Sequence, residues 1–491
     1  MTDMKLLKDI LYKAPILDSI GNTNVAVENV VFDSRKVVRE SLFVAIPGTE
    51  MDGHDFIPQA LEKGARSIIC EKLPGELKEG ISYIQVKDAH QSLAIVAANF
   101  YDNPSDELEL IGITGTNGKT TVATLSHRLF TSLGKKAGLL STVNVMIGKE
   151  EHPATHTTPD PVQLNRYLRM MVEEGCKYCF MEASSHGIVQ RRTAGLRFAG
   201  AVFTNISRDH LDYHKTFDDY ILAKKLLFDG LTSEAWALVN EDDKHGKTML
   251  QHCQAEHIGF ALKTDTQYKV KIMEQQLNGM LLQINQQEFW TKLIGNFNAL
   301  NLAAVFGIAH LLGEDELQIA TALSTLKSVD GRFQYFLSED GVAAIVDYAH
   351  TPDALKNVLE TIGQLRTGNE SVITIVGCGG NRDAGKRPDM AKVATRLSDQ
   401  VIFTSDNPRH EDPDAIIHDM EAGVEAHLSR KYLSITNRKE AIKTASRLAK
   451  KGDIILIAGK GHEKYQDVKG EKLPFDDVAI AREMLNPTTN S

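Results

Sequence analysis

Cysteine is scarce. The 491 residues hold 5, at positions 70, 176, 179, 253 and 378. A set that is odd in number and scattered disfavours a disulfide framework and suits a reducing compartment. The single CxxC, Cys176 and Cys179 in "EGCKYCFME", has no second pair to complete a zinc site, and it reads as two small apolar residues entering a buried strand. An excess of positive charge is also missing. Lys plus Arg is 55 and Asp plus Glu is 65, a formal net charge of -10. That balance disfavours non-specific binding to nucleic acid or to a membrane surface, although it permits local basic pockets. No apolar run approaches the roughly 18 residues needed to span a bilayer. The opening "MTDMKLLKDILYKAP" alternates charge with leucine and has no apolar core or cleavage site of a leader. It reads as a helix of the mature protein, and the chain is expected in the cytoplasm with no membrane insertion. There is no repeat at a solenoid period, and no low-complexity tract beyond the polar end "NPTTNS".

What is present is an ordinary globular composition, 42% hydrophobic and 24% charged. At roughly 150 residues per domain the length suggests about three domains. The first hundred residues hold the short strands "VENVVFDS" and "SLFVAIPG", a helix "FIPQALEKGA" and a strand "RSIICE". "DNPSDELEL" is a polar, proline-containing bridge, which places a boundary near residue 108. Beyond it "LELIGITG", "CKYCFME", "GAVFTNI" and "WALVN" alternate with helical stretches, the pattern of a mostly parallel sheet with helices on both faces. A second boundary falls near residue 333, after "LKSVDGR". The last third repeats the style with "VAAIVDYAH", "SVITIVGCGG", "QVIFTSDNP" and "DIILIAGKG", each ending in a polar or glycine-rich loop. The expected fold is therefore α/β: a smaller N-terminal domain (1–108), a central P-loop domain (109–332) and a Rossmann-like C-terminal domain (333–491).

"LIGITGTNGKTTV" runs from a strand through glycines into a helix. That arrangement aims backbone N–H groups and a helix dipole at phosphate. Gly115, Thr116, Asn117, Gly118, Lys119, Thr120 and Thr121 are the candidates for ATP, with Lys119 for the β/γ-phosphates and Thr120 for Mg²⁺. The usual G-x-x-x-x-G-K-[ST] spacing would put a glycine where Ile113 stands. Glu182 ends a strand, where a carboxylate can reach Mg²⁺. Ser184, Ser185 and His186 follow it, but no G-x-S-x-G elbow supports a serine hydrolase. His210 and His214 lie four apart without the glutamate of a zinc protease. "YILAKKLLF" reads, on spacing alone, as an amphipathic surface helix. The loop "GCGGNRDAGKRP" and Asp406 raise a dinucleotide site, though GCGG is not G-x-G-x-x-G. Arg382, Lys386, Arg387 and Arg409 in these last loops suit capture of a carboxylate or phosphate.

Together "GITGTNGKTT", "MEASSHG", "TNISRDHLDYH", "AKKLLF", "GNFNALN", "DGRFQYF", "DYAHTPDAL" and "DNPR" occur in the order expected of Mur ligases, and the chain resembles that family over essentially its whole length. The resemblance implies an ATP-dependent amide ligase of peptidoglycan precursor synthesis. It implies a UDP-muramoyl dipeptide (UDP-MurNAc-L-Ala-D-Glu) as acid and meso-diaminopimelate as amine, joined through an acyl phosphate. It assigns Ser34 to the uridine diphosphate end, and Thr157, Thr158, Ser184, Gln190 and Arg192 to the muramoyl dipeptide. Thr120, Glu182 and His210 match its Mg²⁺ sites, and Asn298 and Arg332 its nucleotide contacts. Lys224 matches a lysine that carries a carbamate, with Lys225 as bystander. Arg382, Asp406, Asn407, Pro408, Arg409, Gly459 and Glu463 match its amino-acid pocket, in which D-N-P-R goes with diaminopimelate rather than lysine. The sequence departs from many relatives at His156, where asparagine is usual. A monomer is expected. The rival readings are the same ligation with L-lysine, a small-molecule kinase and a nucleotide-driven switch.

Overall fold

Apolar runs alternating with amphipathic stretches fold into three sheets in succession along the chain. The computed structural model describes residues 4–48 and 51–486. The first sheet has five strands in the order Ile16–Ile20, Ser82–Val86, Ser67–Cys70, Ser41–Val44, Asn29–Val31, and only the first pairing is antiparallel. The opening stretch is helical for a single turn, Leu7–Ile10. The two residues before it pair with Ala26–Val27, so that ladder replaces the start of the longer helix that leucine spacing predicts. Most of the polar end, from residue 487, lies outside the described residues.

The second sheet has eleven strands. Its parallel centre runs Ala137–Leu140, Tyr178–Glu182, Glu109–Thr114, Gly200–Phe203, Trp236–Asn240, Glu256–Ala261, Tyr268–Gln276, with antiparallel strands added at both edges. The strands Tyr178–Glu182, Gly200–Phe203 and Trp236–Asn240 are buried throughout, so they read as continuous apolar runs rather than alternating ones. Register decides what meets at the carboxyl edge. Glu182 pairs with Ile113, and Phe203 with Thr114. The phosphate loop, the acidic strand end and the 204–210 loop therefore emerge side by side, the usual place for a ligand in such sheets.

The third sheet has six strands, in the order Gln334–Leu337, Ala343–Asp347, Ile454–Ala458, Val372–Val376, Gln400–Phe403, Tyr432–Ser434. All pairings but the first are parallel. This three-part α/β architecture is the fold class that the alternation predicts. A hairpin, Tyr465–Val468 with Glu471–Pro474, lies over the 406–409 loop. It holds that loop through Arg409 N–H to Asp467 O at 3.0 Å and Gln466 Nε2 to Asp406 O at 2.7 Å. Among the described residues no helix is long and apolar enough to cross a membrane.

Candidate active site

The helix Lys119–Ser132 begins straight after Gly118, whose φ of 89° is left-handed. Gly115 has φ 151°, and a Cβ there would stand 1.9 Å from Thr204 Oγ1, so the loop packs against its neighbour only because this residue is glycine. Ile113 is still inside the strand and fully buried, which explains why the earlier glycine of the usual pattern is dispensable: the turn starts two residues later. Lys119 is half-buried and folds back on its own loop, with Nζ donating to Gly115 O at 2.8 Å and Thr116 O at 2.9 Å.

A cavity of about 330 Å³ opens on one side of this loop. Asn117, Gly118, Thr121, Asn298 and Arg332 line it, together with Phe260, Leu262 and Phe297. Asn298 is held by donating Nδ2 to Ile294 O at 2.8 Å.

A second cavity of about 360 Å³ lies on the other side and contains Thr116, Lys119, Thr120, Glu182, His210 and Lys224. Thr120 Oγ1 donates to Glu182 Oε2 at 3.0 Å and accepts from Arg332 Nη2 at 3.1 Å. Thr142 N–H donates to the other Glu182 oxygen at 2.7 Å. Burial pushes the His210 imidazole down to about 3, against the pull of Asp209, so it is neutral at pH 7 and free to donate a lone pair. A carboxylate oxygen, a hydroxyl and a neutral imidazole facing one polar cavity suit Mg²⁺. Among the described residues no group of three or more His, Cys, Asp or Glu forms a metal site. Such an ion would therefore complete its shell with substrate phosphates and water, as Mg²⁺ commonly does.

The helix Phe217–Asp229 corrects the surface-helix reading of "YILAKKLLF". Lys224 is 1% exposed and Lys225 7%. Lys224 Nζ donates to Gly115 O at 2.9 Å and sits 4.3 Å from the centre of the Tyr220 ring. Lys225 turns away to pair with Asp229. Burial pushes the Lys224 amine well below the ordinary lysine range, and the Lys119 charge acts in the same direction.

One wall of the second cavity is a hydrogen-bonded polar surface. Arg192 donates to Gln190 Oε1 at 2.7 Å and to Thr158 O at 2.6 Å. Ser184 N–H donates to Thr158 Oγ1 at 3.0 Å, and Thr142 Oγ1 to Thr157 Oγ1 at 3.0 Å. His156 lines the same cavity. Ser34 is not brought here. It lies in the first domain, donating to Gln59 Oε1 at 2.7 Å. The hydrolase and zinc readings find no support. Ser184 caps a short helix by accepting from Gly187 N–H at 3.1 Å. His214 Nε2 is 2.9 Å from Ser185 Oγ and does not share the cavity with His210. Cys176 and Cys179 are free, buried thiols.

A third cavity, of about 120 Å³, is lined by Arg382, Lys386, Asp406, Asn407, Arg409, Gly459 and Glu463 from the C-terminal domain, and by Asp209, His210 and Asp212 from the central one. Pro408 is buried in the turn and does not line it. Arg387 does not line it either. Its buried guanidinium bridges Glu411 and Asp419, each at 2.8 Å. The glycines of this region serve loop packing rather than a dinucleotide. A Cβ on Gly380 would stand 2.0 Å from Pro408 O, and one on Gly459 2.5 Å from Asp406 Oδ2.

The cavities are connected. Arg332 and Tyr348 line both the first and the second, and Asp209, His210, Tyr348, His350 and Arg382 both the second and the third. Tyr348 reaches all three, with the Arg332 guanidinium 4.5 Å from its ring centre. His350 Nε2 is 3.7 Å from Asp209 Oδ2, across the two domains. Tyr348 and His350 follow the apolar strand Ala343–Asp347, and Asp209 stands in the loop after Gly200–Phe203, positions at which the sequence alone suggests no role.

Comparison with known proteins accounts for this layout. Residues 26–101 match the Mur ligase family catalytic domain, 113–309 the Mur ligase middle domain, and 331–461 the Mur ligase glutamate ligase domain. The UDP-N-acetylmuramoyl-L-alanyl-D-glutamate–2,6-diaminopimelate ligases of Cytophaga hutchinsonii and Bacteroides fragilis are 52% and 53% identical to it, each over 98% of this chain and 99% of the relative. A solved structure of a ligase of the same name superimposes with a TM-score of 0.69 at 32% identity, covering 99% of both chains.

Proposed function

The chain belongs to the Mur ligase family, and we propose from that premise how its three cavities share one reaction. The enzyme adds meso-diaminopimelate to UDP-N-acetylmuramoyl-L-alanyl-D-glutamate in peptidoglycan synthesis, with ATP as the energy source. The observation that supports the division of labour is the continuity of the cavities. A ligase must hold nucleotide, acid and amine at once, whereas a kinase has no use for the third chamber.

In this reading ATP occupies the first cavity, between the loop 115–121, Asn298 and Arg332. The D-glutamyl side-chain carboxylate lies in the second, against Thr157, Thr158, Ser184, Gln190 and Arg192, with the uridine diphosphate end reaching towards Ser34. The γ-phosphoryl group passes to the carboxylate oxygen, giving an acyl phosphate and ADP. Positioning and charge neutralisation by Lys119 carry most of that step. Mg²⁺, held by Thr120, Glu182 and His210, would neutralise the developing phosphate charge. The amine of diaminopimelate then attacks the acyl carbon, and the tetrahedral intermediate collapses with loss of phosphate. Because the third cavity is built from two domains, their closure brings the amine in while excluding the water that would hydrolyse the acyl phosphate. We assign the domains to residues 1–108, 109–332 and 333–491, and place the enzyme in the cytoplasm as a monomer.

Lys224 is carbamylated in this scheme. Carbon dioxide adds to a neutral amine, and burial favours that form. The new N–C bond is accompanied by loss of a proton, leaving an anion whose oxygens complement a cation beside Glu182.

Arg409 selects the amino acid. Diaminopimelate carries a carboxylate at its far end that lysine lacks, and a guanidinium pairs with it through two parallel hydrogen bonds. The same charge repels the far ammonium of lysine. Losing a pair of this kind costs about 2–5 kcal/mol, roughly 30-fold to several-thousand-fold. Arg409→Ala should therefore raise KM for meso-diaminopimelate strongly and KM for ATP much less, as steady-state kinetics would measure. A wild-type enzyme that used L-lysine as efficiently as meso-diaminopimelate would refute the assignment and leave the ligase reading standing.

A further inference from the structure

The side chain of Lys460 has no exposed surface, and it is absent from the lining of the third cavity. Its Nζ donates to Asn407 Oδ1 at 2.8 Å and to Glu463 Oε2 at 3.1 Å. Asn407 Nδ2 donates to the same Glu463 oxygen at 2.7 Å. Asn407 Oδ1 accepts a second hydrogen bond from Asp467 N–H at 2.9 Å, which settles which end of the amide is oxygen. The three side chains thus form a closed triangle, anchored through Asp467 to the hairpin that holds the 406–409 loop.

Burying an ammonium is costly unless its partners are well placed, and an apolar side chain would fill the same space without that cost. The compensating effect lies in what the ammonium does to its neighbours. The oxygen of the Asn407 amide accepts from Lys460 and Asp467 and its nitrogen donates to Glu463, so the triangle and the hairpin set the orientation of this side chain in the cavity wall. Glu463 is held by Oε2 alone. Among the described residues no hydrogen bond engages its Oε1, and Glu463 lines the cavity. The opposite charge is supported separately, through Arg409 Nη1 donating to Gly380 O at 2.7 Å.

We infer that Lys460 is a positioning residue for amino-acid selection: by fixing Oε2 of Glu463 and the amide of Asn407, it aims Oε1 of Glu463 at the far ammonium of the incoming diamino acid. The inference rests on the reading of this cavity as the amine site and deepens it. The far end of diaminopimelate is a zwitterion, and the cavity reads its two charges with two side chains held by different hydrogen bonds, Glu463 by Lys460 and Asn407, and Arg409 by the Gly380 carbonyl. A ligand with the far carboxylate but no far ammonium, such as 2-aminopimelate, engages only the arginine.

The test is a comparison of meso-diaminopimelate with 2-aminopimelate as amine substrates for wild type and Lys460→Met. Wild type should prefer diaminopimelate in kcat/KM by about 30-fold or more, and the variant should lose at least about tenfold of that preference. Its KM for diaminopimelate should rise by about tenfold, with KM for ATP and for the UDP-muramoyl dipeptide and the saturated kcat changed by less than about threefold. A residue that merely supported the fold would lower turnover with both amines alike, so an unchanged preference in the folded variant overturns the inference. If Lys460→Met does not fold, Glu463→Gln, which removes the charge that Lys460 is inferred to aim, should show the same loss of preference, and an unchanged preference there overturns the inference. Wild-type enzyme with no diaminopimelate-dependent turnover would refute the amine-site reading itself, and the inference with it.

Discussion

Lys119→Ala should abolish turnover while leaving the fold intact. The Lys119 ammonium sits on the carbonyl oxygens of Gly115 and Thr116 and lines the acid cavity, one residue from Gly118, which lines the nucleotide cavity as well. When phosphate enters, that charge is already in place, close to where negative charge grows during phosphoryl transfer. Removing one preorganised donor of this kind typically lowers kcat by about 10²–10³-fold, and the transferred group here carries more charge than a neutral carbonyl. Thr116 lines a polar cavity, where water can replace the ammonium, and the Gly115 carbonyl keeps its hydrogen bond from Lys224, so the thermal midpoint should move little. Lys119→Met, with similar length and no charge, should be as inactive as alanine. Near-normal ADP release by either folded variant would remove this loop from the mechanism.

Lys224→Ala should be nearly inactive too, with a different signature. The side chain is buried beside Tyr220 and the Gly115 carbonyl, and burial favours its uncharged amine, the form that takes up carbon dioxide. A free ammonium there would repel a cation at Glu182, whereas a carbamate offers it oxygen. Substitution by alanine leaves a gap that a short carboxylic acid can fill, so acetate or formate should restore part of the activity. The same acids should do nothing for Lys119→Ala. An unmodified amine at Lys224 in a high-resolution, substrate-bound structure would reject the proposal.

The fold class was legible because strand–helix alternation is a local property, repeated many times along the chain. The phosphate loop was legible for a similar reason: its strand, glycines and lysine are contiguous. Burial set by distant residues was not. The stretch around Lys224 has the spacing of a surface helix, and only its packing against Gly115 and Tyr220 puts the lysine inside. Arg387 and Arg409 both follow an apolar strand and its polar loop in the sequence, yet their surroundings differ. The first is neutralised by Glu411 and Asp419, and the second lines the amine cavity. Asn407 shows the opposite limit. Its motif is plain in the sequence, but the contacts that orient its amide, to Lys460, Glu463 and Asp467, come from residues about 50 to 60 positions away. Tyr348 was hidden by its ordinariness, since one tyrosine after a strand says nothing about reaching three cavities.

Coupling of ATP cleavage to amide formation between two held substrates is measured by ADP release with each substrate withheld in turn. The enzyme would be given ATP and Mg²⁺ with the UDP-muramoyl dipeptide alone, with meso-diaminopimelate alone, with both, and with the dipeptide plus L-lysine or other amino acids. Sustained release is expected only when dipeptide and meso-diaminopimelate are present together, matched by tripeptide formed in equal amount. Equally fast release with the dipeptide alone, or turnover with neither substrate, would contradict that coupling.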